Sequence, residues 1–181
     1  MPLEFSRISK SRALIWFGVV VVVVCVAAWI VYYGKEQSGI ASAVQSFNTQ
    51  AKQLLSFSDL KSAKGEPYLS GKVVILDKKN GTVDPMFRSL KSDLRANTID
   101  EVKTIIWLEW GEELVGRYTS GGGAYVYNCA VTVIDRQSAT LLETRHFRGS
   151  QPPSSKQGYG SAYGSKPDDD IVAYIESLPR K

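Results

Sequence analysis

From Ala13 to Tyr33 the chain runs for 21 residues without a single charge. A helix of that length spans about 32 Å, which matches a hydrocarbon core of about 30 Å. Eight valines, with Leu14, Ile15, Phe17 and Ile30, favour insertion, and Val22 lies near the middle. Trp16 stands near one end, and Trp29, Tyr32 and Tyr33 cluster at the other, where amphipathic rings suit the membrane interface. Valine is a mediocre helix former in water, but in lipid the backbone has no alternative partner. The expectation is a membrane-spanning helix over 13–33, with Ala13, Trp16, Val22, Trp29 and Tyr33 marking the anchor. Three rival readings are weaker: a signal peptide cleaved after Ala28, although the apolar run continues through Trp29 to Tyr33 and is too long for a usual signal core; a lipoprotein box ending at Cys25, although Val24 stands where a small residue is expected; and a buried core helix, which would show polar positions. Arg7, Lys10 and Arg12 precede the run, whereas Lys35 after it is offset by Glu36. The basic flank predicts a cytoplasmic N-terminus and an extracytoplasmic C-terminal domain at the cell membrane.

Beyond the run the periodicity changes. Ile40, Val44, Phe47, Ala51, Leu54 and Leu55 recur at helical spacing and predict an amphipathic stalk helix over 38–57. Ile40, Phe47 and Leu54 are seven apart, so the stalk either packs on its own domain or pairs with a second copy. Residues 58–70 are polar, hold Gly65 and Pro67, and read as a linker. Lys72 to Asp77 is a short continuous apolar strand, of the kind buried on both faces. Asn80-Gly81 marks a type I′ turn. Asp84-Pro85 starts a helix that carries Met86, Phe87, Leu90 and Leu94 on one face.

Glu101 to Trp110 and Leu114 to Thr119 are the next two strands, joined at Gly111-Glu112. Ala124 to Asp135 and Ala139 to Arg148 form the last hairpin, turning at Arg136-Gln137-Ser138. A Gly, Ser, Pro and Tyr loop fills 149–167. Pro167-Asp168 then opens a helix with Ile171, Val172, Ile175 and Leu178 on its apolar side, and Asp168 to Asp170 suit its N-terminal end. The long connection after the first strand permits a parallel crossover, and the short later turns demand antiparallel pairing. The expected class is α+β: a mixed, mostly antiparallel sheet of about five strands, with helices on one face. The divisions are a basic tail at 1–12, the anchor at 13–33, stalk and linker at 34–66, and the domain at 67–181.

Charge changes this picture little. The 181 residues carry a net +4, of which the first 33 hold +2, so the remainder is nearly balanced. No cluster of Lys and Arg makes a nucleic-acid footprint. Cys25 lies inside the apolar run and cannot reach Cys129, so no disulfide forms within the domain. One His and one domain Cys cannot make a zinc set, and the residues imply no cofactor or metal.

The candidate motifs are weak. Gly65 to Lys72 resembles a phosphate loop but has five residues between its glycines, Val73 in place of a hydroxyl, and a strand after it. Gly158, Gly160 and Gly164 lack the dinucleotide spacing. His146, the only histidine, alternates with Leu142 and Thr144 on a strand, and no nucleophile-elbow sequence occurs. Ser58 to Lys61 matches S-x-x-K without its companion motifs. Glu109, Glu112 and Glu113 cluster at one hairpin end, where a pair would serve as acid and base only if desolvated. Asp168 to Asp170 are read as helix-capping residues rather than cation ligands. Cys129 is a small buried residue. Asn80-Gly81-Thr82 satisfies the glycosylation sequon but serves as the turn. Trp107 and Trp110 fall on opposite strand faces. Trp110, with the loop residues Tyr159 and Tyr163, is the candidate partner surface.

The residues name no catalytic set. The expectation is a single-pass protein in the lipid bilayer that presents a non-catalytic domain to a protein partner at the membrane, or for envelope assembly, with self-association through the stalk as a further possibility. The alternative is a membrane-tethered hydrolase or ligand sensor built on Glu109, Glu113 and His146.

Overall fold

The computed structural model describes residues 7–57, 60–63, 65–119 and 121–181, and the side chains from residue 21 onward except Tyr33. Helix α1 spans Arg7–Leu55. The chain divides into two compact units, Met1–Ser42 and Ala43–Lys181. In the first, every described side chain from Val21 to Tyr32 is exposed. Ala13, Trp16 and Tyr33 of the expected anchor, and the start of the basic tail, lie outside the described side chains. Among the described residues no helix is long and apolar enough to cross a membrane.

The second unit is an α+β fold around one mixed sheet. Its strands are β1 (Lys61–Ser62), β2 (Lys72–Asp77), β3 (Thr82–Val83), β4 (Val102–Arg117), β5 (Gly123–Asp135), β6 (Thr140–Arg148) and β7 (Ala162–Tyr163), followed by helix α2 (Asp168–Ser177). The spatial order is β1-β6-β5-β4-β2-β3, with β7 beside β5. β2 runs parallel to β4, as the long crossover predicts, and the β4–β5 and β5–β6 ladders are antiparallel. Val73 to Leu76 are fully buried, which accounts for the continuous apolar run of β2. Among the described residues there are seven strands rather than five: two of the expected strands are the single strand β4, and β1, β3 and β7 are two-residue strands with too few positions to show alternation.

Three local expectations are corrected. No turn forms at Gly111-Glu112; β4 is one strand of 16 residues. Gly111 serves contact instead, since a Cβ there would lie 2.3 Å from Asn128 Oδ1 on β5. The chain reverses later, where Tyr118 N donates to the Gly122 carbonyl at 2.8 Å and Gly121 takes φ +91. The helix after Asp84 shrinks to a 3₁₀ turn, Pro85–Ser89, capped as expected by Asp84 Oδ1 on the Met86 N–H. Leu90 is already extended, because the following segment pairs with β2: Val73 N donates to Leu94 O and Ala96 N to Val73 O. The link from β2 to β3 has four residues, 78–81, and only Gly81 has positive φ, so it is not a type I′ turn.

The helices also cover both faces of the sheet rather than one. Directly paired residues share a face, so Trp110, Cys129 and Phe147 form one row. Phe147 packs on Tyr174 of α2 with ring centroids 5.4 Å apart. Trp107 points the other way and donates Nε1–H to the Leu54 carbonyl at the end of α1, at 3.3 Å. Phe47 and Leu54 are buried in the core of the domain, and Phe47 meets Phe87 edge-on at 5.8 Å. The compact unit therefore starts before residue 67, and Phe47 and Leu54 pack within the domain. Asp168 to Asp170 occupy the first turn of α2 without a side-chain cap, and Pro167 holds the cap position.

Phe47→Ala is expected to destabilise the domain by about 3–5 kcal/mol, the cost of an emptied aromatic core site. Exposed Gln45→Ala should stay within about 0.5 kcal/mol. Denaturant titration of both variants checks this, and equal midpoints would refute the docking of α1.

Candidate functional site

β4 and β5 continue together as an arm after their neighbours stop. β2 makes its last pair at Asp77 with Leu108, and β6 its last at Arg148 with Asn128. Alternation places Trp110, Glu112 and Leu114 of β4 on one face of the arm, opposite Cys129, Tyr127 and Tyr125 of β5. The 149–167 loop folds back onto this arm. Gly149 N donates to the Tyr127 carbonyl and Gly164 N to the Tyr125 carbonyl, and β7 pairs parallel with β5 between them. Gly164 is required by proximity, because a Cβ there would lie 1.8 Å from the Ser150 carbonyl oxygen. Tyr163 is thereby stacked on Tyr125 and Tyr127, with centroids 5.1 and 5.3 Å away.

A cleft of about 540 Å³ opens between the arm and the β2–β3 turn. Asp77, Lys79 and Asn80 line one side, Trp110, Glu112 and Tyr127 the other, and Lys166 joins them. Lys166 Nζ stands 4.1 Å from the Trp110 ring centroid and 5.5 Å from that of Tyr127. Trp110 is held from behind, since its Nε1–H donates to buried Asp84 Oδ2 at 3.1 Å. The Glu112 carboxylate raises the Tyr163 phenol above its ordinary value, with partial burial adding to it.

Two titrating groups lie beneath this surface. Burial pushes the Cys129 thiol up to about 12, with the charge of Asp84 adding to the effect. It is a packed apolar residue rather than a nucleophile. Burial also raises the Asp168 carboxyl; Lys166 opposes the shift, while Asp84 and Asp169 reinforce it. Asp168 Oδ1 has no hydrogen-bond partner among the described residues.

The candidate partner residues divide. Trp110 and Tyr163 share one aromatic wall through Tyr127, whereas Tyr159 stays apart, 92% exposed. The candidate acid–base residues lie on the opposite face and do not converge. Glu109 is ion-paired with Lys78, and Glu113 pairs with Arg148 at 3.0 Å. His146 shares a row with Glu109 through Ala130, two strands away, at about 10 Å. Glu109 and Glu113 are each about half-exposed, so neither has the dry setting that acid–base work needs. Ser58 and Asp59 of the S-x-x-K match lie outside the described residues. Among the described residues no group of three or more His, Cys, Asp or Glu is placed to hold a metal ion.

Lys166 was not visible as a site residue. It sits 56 positions from Trp110, and nothing in the Pro- and Gly-rich loop around it signals a contact with an aromatic ring. Tyr125 and Tyr127 were legible as one strand face, but not as the base on which Tyr163 stacks. No family model matches the chain, and no curated protein or solved structure matches it either.

A raised carboxyl pKa means the unfolded chain releases its proton first as pH climbs. Asp168 therefore costs stability above its ordinary range, and the cost is complete above its folded pKa. Asp168→Asn is expected to raise Tm at pH 7 and to change it less at pH 3. Thermal melts at the two pH values decide, and a lower Tm at pH 7 would contradict the burial argument.

Proposed function

We propose that this chain is a single-pass membrane protein, with a cytoplasmic N-terminus, that presents its C-terminal α+β domain outside the membrane as a non-catalytic module for protein binding or envelope assembly. One observation carries the reading. The described half of the apolar run is a helix whose side chains from Val21 to Tyr32 are all exposed, with Val22 at 62% and Trp29 at 64%. A continuous apolar surface of that kind is unfavourable in water and favourable in lipid. Ala13, Trp16 and Tyr33 complete the 21-residue length that a bilayer requires.

The binding role is supported by the arm. The Trp110–Tyr127–Tyr163 wall offers rigid aromatic area with polar groups at its border, the composition favoured where proteins meet. The buried thiol and the separated, solvated carboxylates offer no reaction of their own. A tethered domain also meets any partner in the same membrane at raised effective concentration.

Val22→Arg places a charge at the middle of the span, at a cost of about 2.5–3.5 kcal/mol. It is expected to shift the protein from the membrane fraction toward the soluble fraction on alkaline extraction. A photo-crosslinking amino acid at position 163 should give discrete adducts in cells, and the same group at exposed Gln137 should not. Complete membrane retention of the Arg variant would refute the anchor, and monomer alone from position 163 would refute the binding face.

A further inference from the structure

We infer that the open edge of β4, from Glu109 to Arg117, accepts an extended segment of another protein as an added strand, and that this segment carries a basic and an apolar residue two positions apart, on one face. The inference rests on the reading of the domain as a binding module and specifies how the partner docks.

The edge follows from the lengths of the strands. Lys78 N donates to the Leu108 carbonyl at 2.9 Å, and that is the last β2-side bond. The N–H and C=O of one strand residue point to the same side, and the side alternates along the strand. The backbone groups of Trp110, Glu112 and Leu114 therefore face the open side, while Glu109, Gly111 and Glu113 bond to β5. Among the described residues no strand pairs with β4 on that side beyond Leu108.

The other edge of the same arm shows what fills such a position. Where β6 ends, the chain's own β7 adds to β5 as a parallel strand and sets Tyr163 on the aromatic wall. The β4 side receives no such segment. Its guard is selective. Protected edges carry charges, Pro or bulges; residues 109–117 hold no Lys or Pro, and three of their four charges are the carboxylates of Glu109, Glu112 and Glu113, which repel acidic strands rather than basic ones. Only a bulge between Leu114 and Gly116 interrupts the ladder, and Leu114 and Val115 are 46% and 38% exposed.

The side chains define the chemistry of the occupant. Glu113 is taken by Arg148 and Glu109 by Lys78, but Glu112 has no ion pair among the described residues. A Lys or Arg opposite Glu112 gains a cross-strand pair, and an apolar residue opposite Leu114 covers it. The side chain opposite Trp110, on this same face, enters the cleft. A second copy of this chain fits poorly, because antiparallel pairing of the edge with itself sets Glu112 and Glu113 near their counterparts.

The test uses the full chain in detergent micelles and a capped ten-residue Lys–Val peptide of Lys-Thr-Val-Thr repeats, in which Lys and Val alternate along one face; the Asp–Val peptide has Asp in place of Lys. Amide hydrogen exchange at Trp110, Glu112 and Leu114 is expected to slow about tenfold or more. An Asp–Val peptide, or the Lys–Val peptide N-methylated at alternate residues, should leave exchange unchanged. Glu112→Pro removes an outward N–H without touching the β5 ladder and should abolish the protection. Glu112→Lys, which keeps the backbone intact, should transfer protection to the Asp–Val peptide. Absence of protection by Lys–Val, or equal protection by both charged peptides, overturns the inference. Protection that rises with protein concentration alone assigns the edge to a second copy and overturns it as well. Crosslinks from position 163 without edge protection would leave the binding module standing and remove only this docking mode.

Discussion

A parallel strand supports its neighbour only as far as its own length, and β2 stops after 6 residues while β4 runs for 16. Most of what is distinctive in the domain follows from that mismatch. The paired half of β4 is buried on both sides and belongs to the core. The unpaired half projects with β5 as an arm that must find its partners elsewhere. On one side it finds them in the returning 149–167 segment. On the other it leaves backbone groups open beside a cleft. The core and the candidate site thus lie on the same two strands, and the arm is positioned by the most buried part of the sheet.

The sheet is closed off by helices from both directions, and the two tryptophans of β4 register this. Trp107 ties the sheet to the end of α1, and Trp110 belongs to the layer that holds α2 and the cleft. The cost of this arrangement is visible at Asp84, a buried carboxylate that both caps the 3₁₀ turn and accepts the Trp110 indole. With both oxygens bonded, its burial is tolerated. Asp168 nearby has one oxygen without a bond among the described residues, and its burial raises the carboxyl, with the charges of Asp84 and Asp169 adding to the shift.

Legibility in the sequence tracked how local the causes were. β2, the β5–β6 hairpin and α2 are each specified by their own apolar pattern, and all three form nearly where the pattern places them. The turn expected at Gly111 failed because the glycine answers to Asn128 across the ladder, not to its chain neighbours. The helix expected through Leu94 failed because β2 takes that segment as a pairing partner, and tertiary hydrogen bonds outweigh helix propensity. Half of the candidate surface was legible: Trp110 and Tyr163 stand out as aromatics among polar or small residues. The rest was not, because the contact of Lys166 with Trp110 and the return of β7 to β5 depend on chain closure over dozens of residues, which leaves no local pattern.

Trp107 and Trp110 also make the domain a pair of optical reporters separated by the thickness of one sheet. Trp107 is 6% exposed, with its indole N–H bonded to the helix end. Trp110 has an ammonium group 4.1 Å from its ring centroid and borders the cleft. Their emission answers to different events, one to separation of the helix from the sheet and the other to displacement of Lys166. With Trp16 and Trp29 replaced by Phe, a protein keeping either β4 tryptophan alone distinguishes loosening of the fold from occupation of the arm by fluorescence, without an added dye.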